Sequence, residues 1–195
     1  MTDSSKKTDY IIEIGIIGDL ESDLFTLQEK CFGKITKDEH KRTLGVEFSI
    51  KNYIYKDKQI KFQIWAMNTS ERFNIVRKMY HKQTRASMVV FDITKPETFY
   101  AIKTWIEEVL NSVGTIPIVI VGNNAHLRDN QGKKNFVSSE LGMQYAEKVS
   151  EKVGYKIPYF EMSEENCKNI NEILPFIIES LPDKTEKKYD LSSLW

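Results

Sequence analysis

Only two cysteines occur in the 195 residues, Cys31 and Cys167, and neither sits in a CxxC or a Cys/His cluster. Zinc-ribbon and dithiol-motif readings are therefore excluded, and two reduced, buried thiols are expected. Charge of one sign is also lacking, since 28 Lys+Arg balance 28 Asp+Glu. No global field draws the chain onto nucleic acid or anionic lipid, so neither is expected as a partner. No apolar run approaches the ~20 residues of a membrane span, and the opening MTDSSKKTDY lacks the apolar core of a signal peptide. A cytoplasmic protein is expected. Position 2 is not Gly and no Cys lies near the terminal KYDLSSLW, so no lipid anchor is read from the ends. The three histidines, His40, His81 and His126, share no partner spacing; they read as surface residues with no metal or catalytic role.

The composition, 41% hydrophobic and 29% charged with 9 Gly and 5 Pro, is that of a globular chain. At roughly 150 residues per domain it forms one domain. We place that domain at residues 10–181, between a polar lead (1–9) and a charged tail (182–195) that ends in Leu191, Leu194 and Trp195. The tail's apolar residues are suited to cap a groove of the domain or to anchor a partner.

Apolar, β-branched runs at Ile11 to Ile17, Phe48 to Tyr55, Ile60 to Trp65, Ser87 to Ile93, Ile116 to Val121 and Ile157 to Phe160 predict six strands. Helical spacing fills most of the gaps, as in Leu24, Leu27 and Cys31, or Ile170, Ile173, Leu174 and Ile177. Four runs, IIEIGII, SMVVFDI, IPIVIV and IPYF, read as strands buried on both faces, the mark of a parallel sheet between helices. VEFSIKNYIYKDKQIKFQIW instead alternates around the polar YKDKQ and predicts a hairpin. The fold class is α/β: a six-stranded mixed sheet, mostly parallel with one antiparallel strand, flanked by about five helices. Ligands of such sheets bind beyond the carboxyl ends of the strands, so the loops after Ile17, Trp65 and Val121 are where function is sought.

The strand ending IIGD before a helix invites comparison with the phosphate loop GxxxxGK followed by Ser or Thr. Counted from Gly18, the second Gly falls on Asp23, the Lys on Leu24 and the magnesium-binding hydroxyl on Phe25, while Glu21 adds another carboxylate. Carboxylates facing a triphosphate repel it. A strand–turn–helix with Ser22 or Asp23 capping the helix is the competing reading.

The segments TLGVEF (43–48), IKFQIW (60–65), ERF (71–73), VVFDIT (89–94) and IVIVGN (118–123) occur in register. Together they resemble a Rab-type small GTPase of the Ras superfamily over residues 10–181, which implies the P-loop small G domain. In that family IKFQIW is followed by Asp-x-x-Gly-Gln; here those places hold Ala66, Thr69 and Ser70. The guanine-reading Asn-Lys-x-Asp becomes Asn123, Asn124, Ala125 and His126, and Ser-Ala-Lys becomes Ser163, Glu164 and Glu165. Gly18, Thr43, Asn123 and Ser163 keep the family's identity. Losing one hydrogen bond to a charged group costs ~1.5–3 kcal/mol. The combined losses amount to roughly six decades of affinity even with strong non-additivity.

The expectation is a pseudo-GTPase with no cofactor, no metal and no catalytic residue, its degenerate nucleotide site marked by Gly18, Asp23, Leu24, Phe25, Thr43, Ala66, Thr69, Asn123, His126 and Ser163. Leu24 and Phe25 are expected to pack into the former phosphate site and hold one conformation. The alternative is a GTP-binding protein, weakly hydrolytic, that takes GTP or GDP and Mg with non-standard residues. Phe48, Trp65 and Tyr80 match the aromatic triad through which Rab proteins meet effectors. An effector-like protein partner of a monomer is thereby implied, although rings at such positions also serve as packing.

Overall fold

The computed structural model describes residues 8–19, 23–33, 45–128, 136–165 and 167–182. Six strands, β1 (Tyr10–Gly18), β2 (Val46–Tyr55), β3 (Lys58–Met67), β4 (Ala86–Asp92), β5 (Ile118–Asn123) and β6 (Tyr159–Glu161), form one sheet in the order β2-β3-β1-β4-β5-β6. All neighbours are parallel except β2 and β3. The hairpin turn is as the pattern requires: Lys56 and Asp57 both take positive φ, 46° and 64°, the turn that matches the strands' own twist. Every residue of β4 and β5 is buried, as expected of central parallel strands. The short β6 departs from that expectation, because it lies at the sheet edge with one neighbour and all three residues are only half-buried.

The helices are α1 (Leu24–Phe32), α2 (Asn74–His81), α3 (Pro96–Tyr100), α4 (Ile102–Val113), α5 (Ser139–Val153) and α6 (Ile170–Ser180). α3 and α4 are one helical stretch interrupted at Ala101, which leaves five such stretches around the sheet. One sheet face packs Ile14, Ile16, Phe62, Ile64 and Val121 against Leu27 of α1 and Ile173, Leu174 and Ile177 of α6. The other packs Val89, Phe91 and Ile120 against Phe99 of α3 and Ile102, Ile106 and Val109 of α4, with Ala146 of α5. Ser138 begins α5 with its hydroxyl accepting from the Leu141 N–H at 3.2 Å. Gly142 lets α5 press on β6, since a Cβ there would stand 2.5 Å from Cζ of Tyr159. No described helix is long and apolar enough to cross a membrane.

The cysteines correct the expectation of free thiols: Cys31 and Cys167 form a disulfide, with Cα atoms 5.4 Å apart and no free cysteine left. Their separation of 136 residues gave no spacing signal. They meet because α1 and α6 cover the same sheet face, which brings the last turn of α1 beside the loop that precedes α6.

Candidate functional site

β1 ends at the buried Gly18, and α1 starts at Leu24 beyond a turn whose residues 20–22 lie outside the described chain. Asp23 precedes the helix at φ 54° and ψ 39°, a left-handed conformation that Asp and Asn tolerate better than most side chains. Its carboxylate makes no capping bond, so Asp23 is not the side-chain cap that the sequence suggested; Ser22 lies outside the described residues. Leu24 turns into the core, and Phe25 packs partly against the same cluster. The phosphate turn into which the pair is expected to pack, residues 20–22, lies outside the described residues. A cavity of about 370 Å³ remains, lined by Asp23, Leu24, Phe25, Thr26, Gly45, Val46, Glu47, Asn68, Thr69 and Arg72. Helical phase sets these positions: with α1 laid on the sheet, residues 24, 27, 28, 31 and 32 are its buried face, so Leu24 serves both the core and the cavity wall.

The loops after β5 and β6 bring Asn123, His126 and Ser163 together. Asn123 is fully buried, and its Nδ2 donates to the Glu164 carboxylate at 3.4 Å. Ser163 Oγ accepts from the Glu165 N–H at 3.1 Å and pairs with His126 Nδ1 at 3.0 Å, while His126 Nε2 lies 3.8 Å from Glu165 Oε1. His126 is thus part of the loop network, not the isolated surface residue expected. Burial pushes the Glu164 carboxyl above its ordinary range and the charge of Asp23 adds to this, against the Asn123 bond and the nearby His126 and Lys30. Asp92, at the end of β4, ties the neighbouring loops: Oδ1 accepts from the Thr94 N–H and hydroxyl at 2.8 Å each, and Oδ2 from Asn124 Nδ2 at 3.0 Å.

On the other flank Ala66 is buried in the core, and Thr69 lines the cavity with its Oγ1 buried and unbonded. Arg72 stacks over the Phe73 ring at 4.6 Å. Thr43 and His40 lie outside the described residues. A magnesium nucleotide asks for a cation and a hydroxyl on the β1–α1 turn, a carboxylate after β3 and an acceptor for the base after β5. The described side chains there are Asp23, Leu24 and Phe25, then Ala66, then His126 already paired with Ser163. They do not fit that group. Among the described residues no group of three or more His, Cys, Asp or Glu is placed to hold a metal ion.

Phe48 and Trp65 are cross-strand partners with ring centroids 4.2 Å apart, and Tyr80 of α2 lies 4.8 Å from Trp65. The three rings form one half-buried stack. The helix behind Tyr80 is turned inside out. Arg77 is 3% exposed and His81 0%, whereas Ile75 is 79% and Met79 58% exposed. Arg77 Nε and Nη2 donate to Glu108 of α4 at 2.8 and 3.1 Å, and Nη1 donates to the carbonyls of Asn68 and Ser70 at 3.1 and 2.9 Å. His81 Nε2 lies 3.2 Å from the same carboxylate. Burial would push the Glu108 carboxyl up, yet its bonds with His81 and Arg77 bring it down to about 2. Sequence reasoning missed this cluster, and it read His81 as a surface residue. The available signal was Phe73, Arg77 and His81 at i, i+4 spacing, opposite Ile75 and Met79.

The sheet order, its one antiparallel strand and the helices on both faces define the small G domain. The Ras family model matches residues 25–183, and the chain belongs to that family as a Rab-like member. It is 28% identical over 190 residues to Ras-related protein RABA4b of Arabidopsis thaliana, which covers 95% of this chain and 79% of that protein. It is 31% identical over 147 residues to Ras-related protein Rab11C of Nicotiana tabacum, 75% of this chain and 64% of the relative. Ras-related protein Rab-32B of Dictyostelium discoideum is 27% identical over 178 residues, 88% of this chain and 65% of its own length.

Proposed function

We propose that this Rab-like chain is a pseudo-GTPase: a nucleotide-independent, monomeric interaction module of the cytoplasm that binds an effector-like protein, with a role in membrane trafficking. The observation that carries the reading is the inside-out α2, which exposes Ile75 and Met79 on the element that bears Tyr80 while burying Arg77 and His81. An apolar helix face beside a three-ring stack has the chemistry of an interaction surface. Arg77 ties the start of this segment to Glu108 through two carbonyls, so the surface is held without any phosphate. In a nucleotide switch, by contrast, γ-phosphate and magnesium order the same loops and their loss releases them. The Rab resemblance supplies the trafficking assignment.

Calorimetric titration with GDP and GTP, with and without Mg, tests the reading once extraction has shown that nothing copurifies. No heat at high micromolar nucleotide is expected, and tight binding overturns it. One observation favours the second reading, a GTP-binding protein with non-standard residues: the 370 Å³ cavity, with Arg72 on its wall. Arg72→Ala would abolish binding under that reading.

A further inference from the structure

We infer that Cys31–Cys167 is a reversible redox site that sets the conformation of the loop after β6. The bond joins two flanks of the degenerate site. Cys31 is in the last turn of α1, with its carbonyl accepting from Lys51 Nζ at 3.1 Å. Cys167 stands at φ 47°, in a loop whose turn is closed by its own N–H donating to the Ser163 carbonyl at 2.8 Å. The same few residues place Ser163 on His126 and Glu164 on Asn123. The turn that carries Ser163 and Glu164 closes on the Cys167 N–H, and Cys167 is tied in turn to α1. The disulfide is the covalent restraint at that point. Cys167 is half-buried while Cys31 is 5% exposed, so of the two residues Cys167 is the nearer to solvent.

The reductant of the proposed step is a dithiol, which supplies both electrons. One of its thiolates attacks Sγ of Cys167, forms a mixed disulfide and expels Cys31 as a thiolate that takes up a proton. The second thiol of the reductant then displaces Cys167 in the same way. Two electrons and two protons enter the protein, and the reductant departs as its cyclic disulfide. The loop then loses its link to α1, and Ser163 and Glu164 separate from His126 and Asn123.

The test begins with the full chain purified in air without reductant, denatured and treated with N-ethylmaleimide. Intact mass should show no adduct before dithiothreitol and two after it; two adducts without reductant overturn the inference. Hydrogen exchange of the native chain is then compared when oxidised, reduced and reoxidised. Peptides over residues 163–170 should exchange about tenfold faster on reduction and recover on reoxidation, while β4 and β5 stay protected. Unchanged exchange over 163–170 refutes the inference. Acceleration throughout β4 and β5 refutes it too, because the bond would then be a global staple. Cys31→Ser with Cys167→Ser should reproduce the reduced pattern, and if that variant fails to fold, reduction of the natural chain still decides.

Discussion

Removing the carboxylate of Glu108 should destabilise this protein more than any single surface change. Glu108 is the shared acceptor for Arg77 and His81, whose side chains are 4% and 0% exposed, and its own side chain is 18% exposed. The carboxyl lies at about 2 against an ordinary 4.5, a gap of roughly 3 kcal/mol that solvent at the carboxylate edge trims to about 2. Stripping one partner from a buried pair typically costs about 3–5 kcal/mol, because the remaining charge is left uncompensated. Taking about 3 kcal/mol, and 2–4 °C per kcal/mol for a chain of this size, Glu108→Ala should lower Tm by about 6–12 °C at pH 7. The pH dependence has a definite sign. A depressed carboxyl contributes its stability in full above its unfolded value and loses it as pH falls through the folded one, so the gap between variant and wild type should close between pH 4.5 and about 2. Scanning calorimetry at pH 7, 5, 4 and 3 measures this, with reversibility checked at each pH. A variant within about 1 °C of wild type at pH 7, or a gap that widens on acidification, would refute the argument.

Several smaller perturbations bracket that effect. Tyr80→Ala should weaken an effector-like partner about tenfold or more by interferometry while changing Tm by only a few degrees; equal affinity would remove the ring stack from the interface. Gly142→Ala should cost about 1–3 kcal/mol in urea unfolding, since its Cβ meets the Tyr159 ring. Ser138→Ala should cost about 1 kcal/mol through the lost cap of α5. Lys56→Ala breaks a 3.4 Å pair with Glu179 in which both side chains are mostly exposed, so its urea midpoint should stay at wild type.

The sheet was legible because its signals are local and periodic. IPIVIV is apolar throughout and SMVVFDI at every position but Ser87 and Asp92, so a central strand suits both, and VEFSIKNYIY alternates because its strand forms the sheet edge. Asn123, His126 and Ser163 could be placed together since motif register sends all three to strand ends. The remainder depends on distance in sequence. Arg77 looks like an ordinary exposed position until α4 brings Glu108 across 31 residues. Leu24 could not be assigned to core or site without the rotation of α1, which is set by packing on the sheet. The disulfide joins residues whose only common property is the face of the sheet they cover.

That disulfide also makes most of the domain a closed covalent ring. The ring runs from residue 31 to residue 167 and contains β2, β3, β4, β5 and β6 together with α2, α3, α4 and α5. A protease that cuts once anywhere inside it cannot release a fragment. The nicked protein should migrate as one species on a denaturing gel without reductant and as two with it, so a preparation that looks intact under non-reducing conditions is not thereby shown to be uncut.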